Sequence, residues 1–192
     1  MSQLLIDNIQ KHILLSEVEI NELLSVLKPK KLRKRQYFVQ EDEVSENSAF
    51  VISGCLRSYF VDSNGFEHNL QFAIEDWWIT DMMSFTTQKP GRLFIDALEN
   101  SEVLLLSRKN QLQLFETCPK LEKYFRIITE NGFVSNQNRL LDNLSLQATE
   151  RYLNFKEKYP QLLQRLPQIQ IAAYLGITPE FLSKIRNQLA KK

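Results

Sequence analysis

Near the C-terminus Glu180, Ser183, Lys184 and Asn187 recur at offsets of three and four, so a helix would carry all of them on one face. Each forms hydrogen bonds, as a carboxylate, a hydroxyl, an ammonium and an amide. The set holds no nucleophile–base pair and no metal-ligand cluster. It is a set able to contact the edges of bases and the oxygens of phosphates. Beside it Ile177, Phe181, Leu182, Ile185 and Leu189 form an apolar run at helical spacing, which another element must cover.

The cover comes from just upstream, where Ile169, Ile171, Ala172 and Leu175 form a second run that breaks at Gly176. A helix-turn-helix pair needs a residue comfortable at positive φ in its turn, and Gly176 is one. Its helices cross closely, so the first needs a small residue facing the second. Ala172 stands four positions before the glycine. Ile171, Leu175, Ile177, Leu182 and Ile185 are placed to fill the angle between the helices, and Thr178 to cap the second, with Pro179 at its first position. An ordinary pair of core helices would not need every one of these positions filled.

Other chemistries find little support. Cys55 and Cys118 are the two cysteines, too few for a disulfide framework or an iron–sulfur cluster, and read as buried or idle thiols. His12 and His68 are the two histidines, far apart, so no metal site or other cofactor is expected. No acid–base or nucleophile constellation argues for an enzyme. No apolar run approaches the ~20 residues of a membrane span, and the N-terminus lacks the unbroken apolar stretch of a signal peptide, so no membrane contact and a cytoplasmic location are expected. The net charge of +1 is divided unevenly. From Ser145 onward eight Lys/Arg face three Glu, whereas the first 144 residues carry sixteen basic and twenty acidic groups. A basic tail behind an acidic body suits a polyanion-binding appendage.

The elements that position the C-terminal face follow from the texture of the chain. Ser16 and Glu19 form a capping box ahead of a helix bearing Ile20, Leu23, Leu24 and Leu27, which Pro29 ends. The basic run "KPKKLRKR" over 28–35 reads as a solvated strand edge. From 36 to 107 short apolar runs are separated by turn signals, among them Asp62-Ser63-Asn64-Gly65, where Asn-Gly predicts a type I′ hairpin. This is the pattern of a sandwich or barrel. Residues 119–144 read as a helix of about seven turns. Its apolar residues cover more than one face, which predicts packing on its own barrel and on a partner. Ser145 is expected to cap a further helix that stops at Pro160.

The segments "ISGCLRSYFVDSNGFEHNLQFA", "RLLDNLSLQATERYLNFKEKYPQLL" and "AAYLGITPEFLSKIR" carry a family resemblance. Over essentially its full length the chain resembles transcription regulators of the Crp/Fnr family, in a Bacteroidetes-like form. The resemblance implies an α+β fold: N-terminal helices and a cupin-like β-roll of the cyclic-nucleotide-binding type over 1–118, a dimerisation helix over 119–144, and a winged-helix-type helix-turn-helix domain over 145–192. The partners it implies are double-stranded DNA, a second copy of the chain, and RNA polymerase. Glu180 stands where many members have a glutamate that accepts from a cytosine amine, and Lys184 where an arginine commonly contacts guanine or phosphate. Lysine loses the bidentate geometry of arginine. Thr178, Ser183 and Asn187 are further base or phosphate contacts, and Arg186, Gln168 and Gln170 backbone contacts. The linker "QLLQRLPQIQ" is shorter than the usual wing hairpin, which implies a reduced or absent wing.

The family's sensor motif is degraded. Nucleotide-binding members open a short helix with Gly-Glu and place an arginine some ten positions on. Here Thr80 replaces the glycine, Asp81 the glutamate and Gly91 the arginine, with Arg92 one residue late. A strand residue moved by one faces the other way. Thr80, Asp81, Met82, Ser84 and Arg92 are left as a degenerate ligand pocket, with Trp77 and Trp78 as bulk to fill it. The expected function is a homodimeric, sequence-specific regulator whose effector is a small molecule other than a cyclic nucleotide, or which has none. The second reading is a barrel that binds a small ligand or a partner, without DNA binding.

Overall fold

The computed structural model describes residues 2–190 and is α+β. It falls into two compact units, one formed by the chain up to Phe60 with Leu70–Glu130, the other by Val61–Asn69 with everything after Glu130.

The first unit begins with α1 (Gln3–Gln10) and α2 (Glu17–Val26), the latter opened by the Ser16/Glu19 capping box read from the sequence. Eight strands follow: β1 (Lys28–Leu32), β2 (Tyr37–Val39), β3 (Asn47–Ser53), β4 (Leu56–Val61), β5 (Glu67–Ala73), β6 (Trp78–Ile79), β7 (Phe94–Ala97) and β8 (Ser101–Ser107). The short helix α3 (Met82–Thr87) lies between β6 and β7. The strands form two four-stranded antiparallel sheets, ordered β1-β8-β3-β6 and β2-β7-β4-β5.

Strand alternation divides the side chains between two cores. Ala49, Val51, Leu56, Ile95 and Val103 fill the interior of the roll. Phe50, Leu104 and Leu106 face the other way, onto Leu5, Ile9, Leu23, Leu114 of α4 (Arg108–Thr117), and Leu121 and Tyr124 of the long helix α5 (Pro119–Ser145). Each fully buried large side chain contributes about 1.5–3 kcal/mol. Tyr124 anchors the helix: its hydroxyl donates to Asn8 Oδ1 and accepts from Trp78 Nε1 at 2.9 Å. Trp78 therefore packs with the helices, between Phe50 and Phe125, and only Trp77 joins the roll interior. On the second sheet Arg57 lies opposite Asp96 and forms a buried two-point ion pair with it.

The second unit holds the rest of α5, then α6 (Ala148–Lys158), α7 (Pro160–Arg165), α8 (Gln168–Leu175) and α9 (Pro179–Ala190). Two local expectations are corrected. Ser145 does not cap α6. It is the last residue of α5, its hydroxyl bonded back to Leu141 O, and Glu150 accepts instead from the backbone N of Gln147. The linker forms the short helix α7 and the start of α8, and no strand lies in 146–190 among the described residues. The 62–65 turn is not type I′, because Gly65 is at φ 82° and Asn64 is not at positive φ. Asp62 Oδ1 accepts from the N–H groups of Asn64 and Phe66, and Asp62 N donates to Phe66 O, which makes a three-residue loop with glycine in the left-handed position.

Candidate nucleic-acid interface

The second unit builds its interface from a close helix crossing. Ala172 of α8 is fully buried, and Ile171 and Leu175 of the same helix and Leu182 and Ile185 of α9 are buried too, with the two helices in contact. Contact of this kind needs the absence of bulk at 172. Gly176 ends α8 at φ 66°, a backbone conformation that most side chains would strain. Thr178 then caps α9, its Oγ1 accepting from Phe181 N at 3.2 Å, and Pro179 takes the first position.

With Leu182 and Ile185 turned inward, Glu180, Ser183, Lys184 and Asn187 lie together on the exposed face of α9, spanning about 100° of the helix. Arg186 is exposed on the flank, Thr178 at the helix start and Gln168 at the start of α8. Seven of the eight interface residues expected from the sequence are thus open to a ligand. Gln170 is half-buried, and its side-chain oxygen accepts from Asn69 Nδ2 at 2.9 Å. Phe181 and Ile169, counted in the apolar runs, are 47% and 59% exposed, because each lies off the buried stripe of its helix.

Two residues behind the interface carry no local signal in the sequence. Arg139 of α5 lies with its guanidinium 3.9 Å from the centroid of the Tyr174 ring and donates to Tyr174 O at 2.6 Å and to Asn69 O at 2.7 Å. Burial pulls its pKa below the ordinary arginine value, while the adjacent Tyr174 and Tyr159 oppose the shift. Asn69 itself is fully buried. Only the fold brings these residues together, since Asn69 and Gln170 stand 101 positions apart.

In the first unit Thr80, Asp81 and Ser84 do come together, and their hydrogen bonds run within the protein, although Asp81 Oδ2 is buried without a hydrogen-bond partner. Asp81 caps α3 through Ser84 N at 3.1 Å. Ser84 Oγ accepts from Ser45 N at 2.8 Å and donates to Lys89 O at 2.6 Å. Thr80 Oγ1 is within 3.2 Å of both Asn47 O and Ser45 Oγ. Met82 is 51% exposed, and Arg92 is exposed.

Comparison with known proteins agrees with this geometry. Residues 29–118 match the cyclic nucleotide-binding domain family. No curated protein matches the sequence. Among solved structures, FixK2 from Bradyrhizobium japonicum is 22% identical with a TM-score of 0.74, over 86% of this chain and 85% of that one. CLP, a c-di-GMP-responsive global regulator of Xanthomonas campestris, is 14% identical with a TM-score of 0.73 over 92% of each. A protein from Eubacterium rectale described as a transcriptional regulator of the Crp/Fnr family is 13% identical with a TM-score of 0.70, over 92% of this chain and 84% of that one. The β-roll is a domain of the cyclic-nucleotide-binding type. The chain as a whole has the fold of the Crp/Fnr regulators.

Proposed function

We propose that this protein is a homodimeric, sequence-specific DNA-binding transcription regulator that does not use a cyclic nucleotide as an effector. The observation that carries the reading is the exposed polar face of α9, with Glu180, Ser183, Lys184 and Asn187 side by side while Leu182 and Ile185 are buried. A helix so presented suits the major groove, and a two-fold dimer would place two such helices about one DNA turn apart. RNA polymerase is the further partner that this role implies.

The dimer reading is supported by α5. Phe133, Val134, Leu140, Leu141 and Leu144 are all more than half exposed. They repeat at seven residues (133 and 140, 134 and 141) and form one apolar stripe, as expected for a seam between paired helices. The reading of the sensor is supported by the hydroxyls of Thr80 and Ser84, which are already bonded within the protein, and by Gly91 where a guanidinium would be required.

Selection from random duplex DNA, followed by binding to the selected sequence across a salt series, tests the proposal. An operator should emerge, and affinity should fall steeply as salt rises, because Lys/Arg contacts to phosphates release counterions. Failure to enrich any sequence would sink the reading as a sequence-specific regulator.

A further inference from the structure

Helix α8 is held at both ends by groups from outside the helix-turn-helix pair. In its first turn Asn69 Nδ2 donates to the carbonyl of Gln170 at 2.8 Å and to its side-chain oxygen at 2.9 Å. In its last turn Tyr174 O takes a donor from outside the helix. Arg139 Nη2 supplies that donor at 2.6 Å, and places a cation at the negative end of the helix. The same nitrogen donates to Asn69 O at 2.7 Å. The contacts therefore close a ring from Arg139 to Asn69, to Gln170, along α8 to Tyr174, and back to Arg139. The guanidinium lies over the Tyr174 ring, so cation and helix end are held in contact by two different forces.

We propose that Asn69 and Arg139 are positioning residues for DNA reading, which fix the angle at which α8 presents α9. This rests on the reading of α9 as the DNA-contacting helix. The pair α8–α9 turns as one body, because Ile171, Ala172 and Leu175 of α8 and Leu182 and Ile185 of α9 are all buried, the two helices are in contact, and the Gly176 turn is short. A tilt of α8 is therefore a displacement of Glu180, Ser183, Lys184 and Asn187, and base recognition tolerates only ~0.5 Å of misplacement. The donors are matched to this task. Asn69 is a buried amide that donates twice to one residue of α8, and Arg139 forms a planar fork stacked on an aromatic ring, a geometry that lysine cannot reproduce in full. Asn69 belongs to the tip of the β4–β5 hairpin, Val61–Asn69, so the hairpin tip is the part of the second unit that sets the angle.

The test uses the full-length protein, the operator it selects, and an unrelated duplex of the same length. Arg139→Gln should weaken operator binding by roughly tenfold, the scale of one lost base contact, and leave unrelated DNA within about twofold, since phosphate contacts do not depend on the angle. Arg139→Lys should recover part of the loss, because an ammonium can still donate to both carbonyls. An equal loss on operator and unrelated DNA, or no loss in a folded Arg139→Gln protein, would overturn the assignment. If Arg139→Gln does not fold, the cycle of Asn69→Ser and Gln170→Ala decides. Non-additive effects on the operator-to-unrelated ratio support the ring of contacts, and additive effects reject it. A wild-type protein with no sequence preference would instead remove the regulator reading itself, and this inference with it.

Discussion

Gly91 lies directly against the buried carboxyl of Asp81, so that a Cβ at position 91 would overlap Asp81 Oδ2 and stand 3.1 Å from Ser84 Cβ. Position 91 is where the family resemblance places an arginine. The glycine is therefore part of a packed arrangement in which Asp81 caps α3 and has taken up the space where an arginine side chain would begin. Gly91→Ala should destabilise the protein by ~1–3 kcal/mol, the usual cost of overpacking. Asp81→Ser retains a capping oxygen on a shorter side chain, so the double variant should lose less than the sum of the two, as measured by urea unfolding.

Cyclic AMP and cyclic GMP should not bind. A cyclic phosphate needs a guanidinium fork or several convergent N–H groups, and here glycine stands at 91 while Arg92 is exposed. Isothermal titration at millimolar nucleotide should show no saturable heat. A micromolar dissociation constant that disappears in Arg92→Ala would restore a nucleotide sensor.

The apolar stripe on α5 should hold the dimer. Replacing Leu140 and Leu144, 58% and 77% exposed, by glutamate should leave the fold intact, because neither is in the core. Light scattering should then report a 22.6 kDa monomer. Wild-type protein that is already monomeric at micromolar concentration would count decisively against the seam.

Lys184→Ala should weaken operator binding by ~1–3 kcal/mol and relax preference at one position per half-site if the ammonium reads a base. If it touches phosphate alone, the loss should be even across sequences. Unchanged affinity in folded protein would remove Lys184 from the reading face.

Acid should loosen the start of α2. Hydrogen bonds from Ser16 N and Lys120 Nζ hold the Glu19 carboxylate at about 2, below its ordinary 4.5. A group whose pKa is lower folded than unfolded stabilises the fold above the unfolded value, and that stability is lost as pH falls through the folded one. The window is thus about 4.5 down to about 2. Glu19→Gln should flatten the stability profile there, as read by thermal unfolding across pH.

The sequence by itself determined whatever depends on neighbours within a turn or two of helix. The Ser16/Glu19 box, the Thr178 cap, the Gly176 turn and the split between Leu182/Ile185 and Glu180/Ser183/Lys184/Asn187 are all local, because helix periodicity and capping couple residues three or four apart. The reading of Thr80, Asp81 and Gly91 as a degenerate motif came instead from the family resemblance. Competing local signals misled at Ser145, where the Gln147–Glu150 pairing prevailed, and at Asn64-Gly65, where the Asp62 side chain reset the turn. Tertiary structure decided the rest. It sent Trp78 to the helices and Trp77 to the roll, gave Asp81 its buried place beside Gly91, and closed the contacts of Asn69, Arg139, Gln170 and Tyr174. Those contacts join residues 35 to 101 positions apart, and such partners have no spacing rule, because the route of the chain through space chooses them.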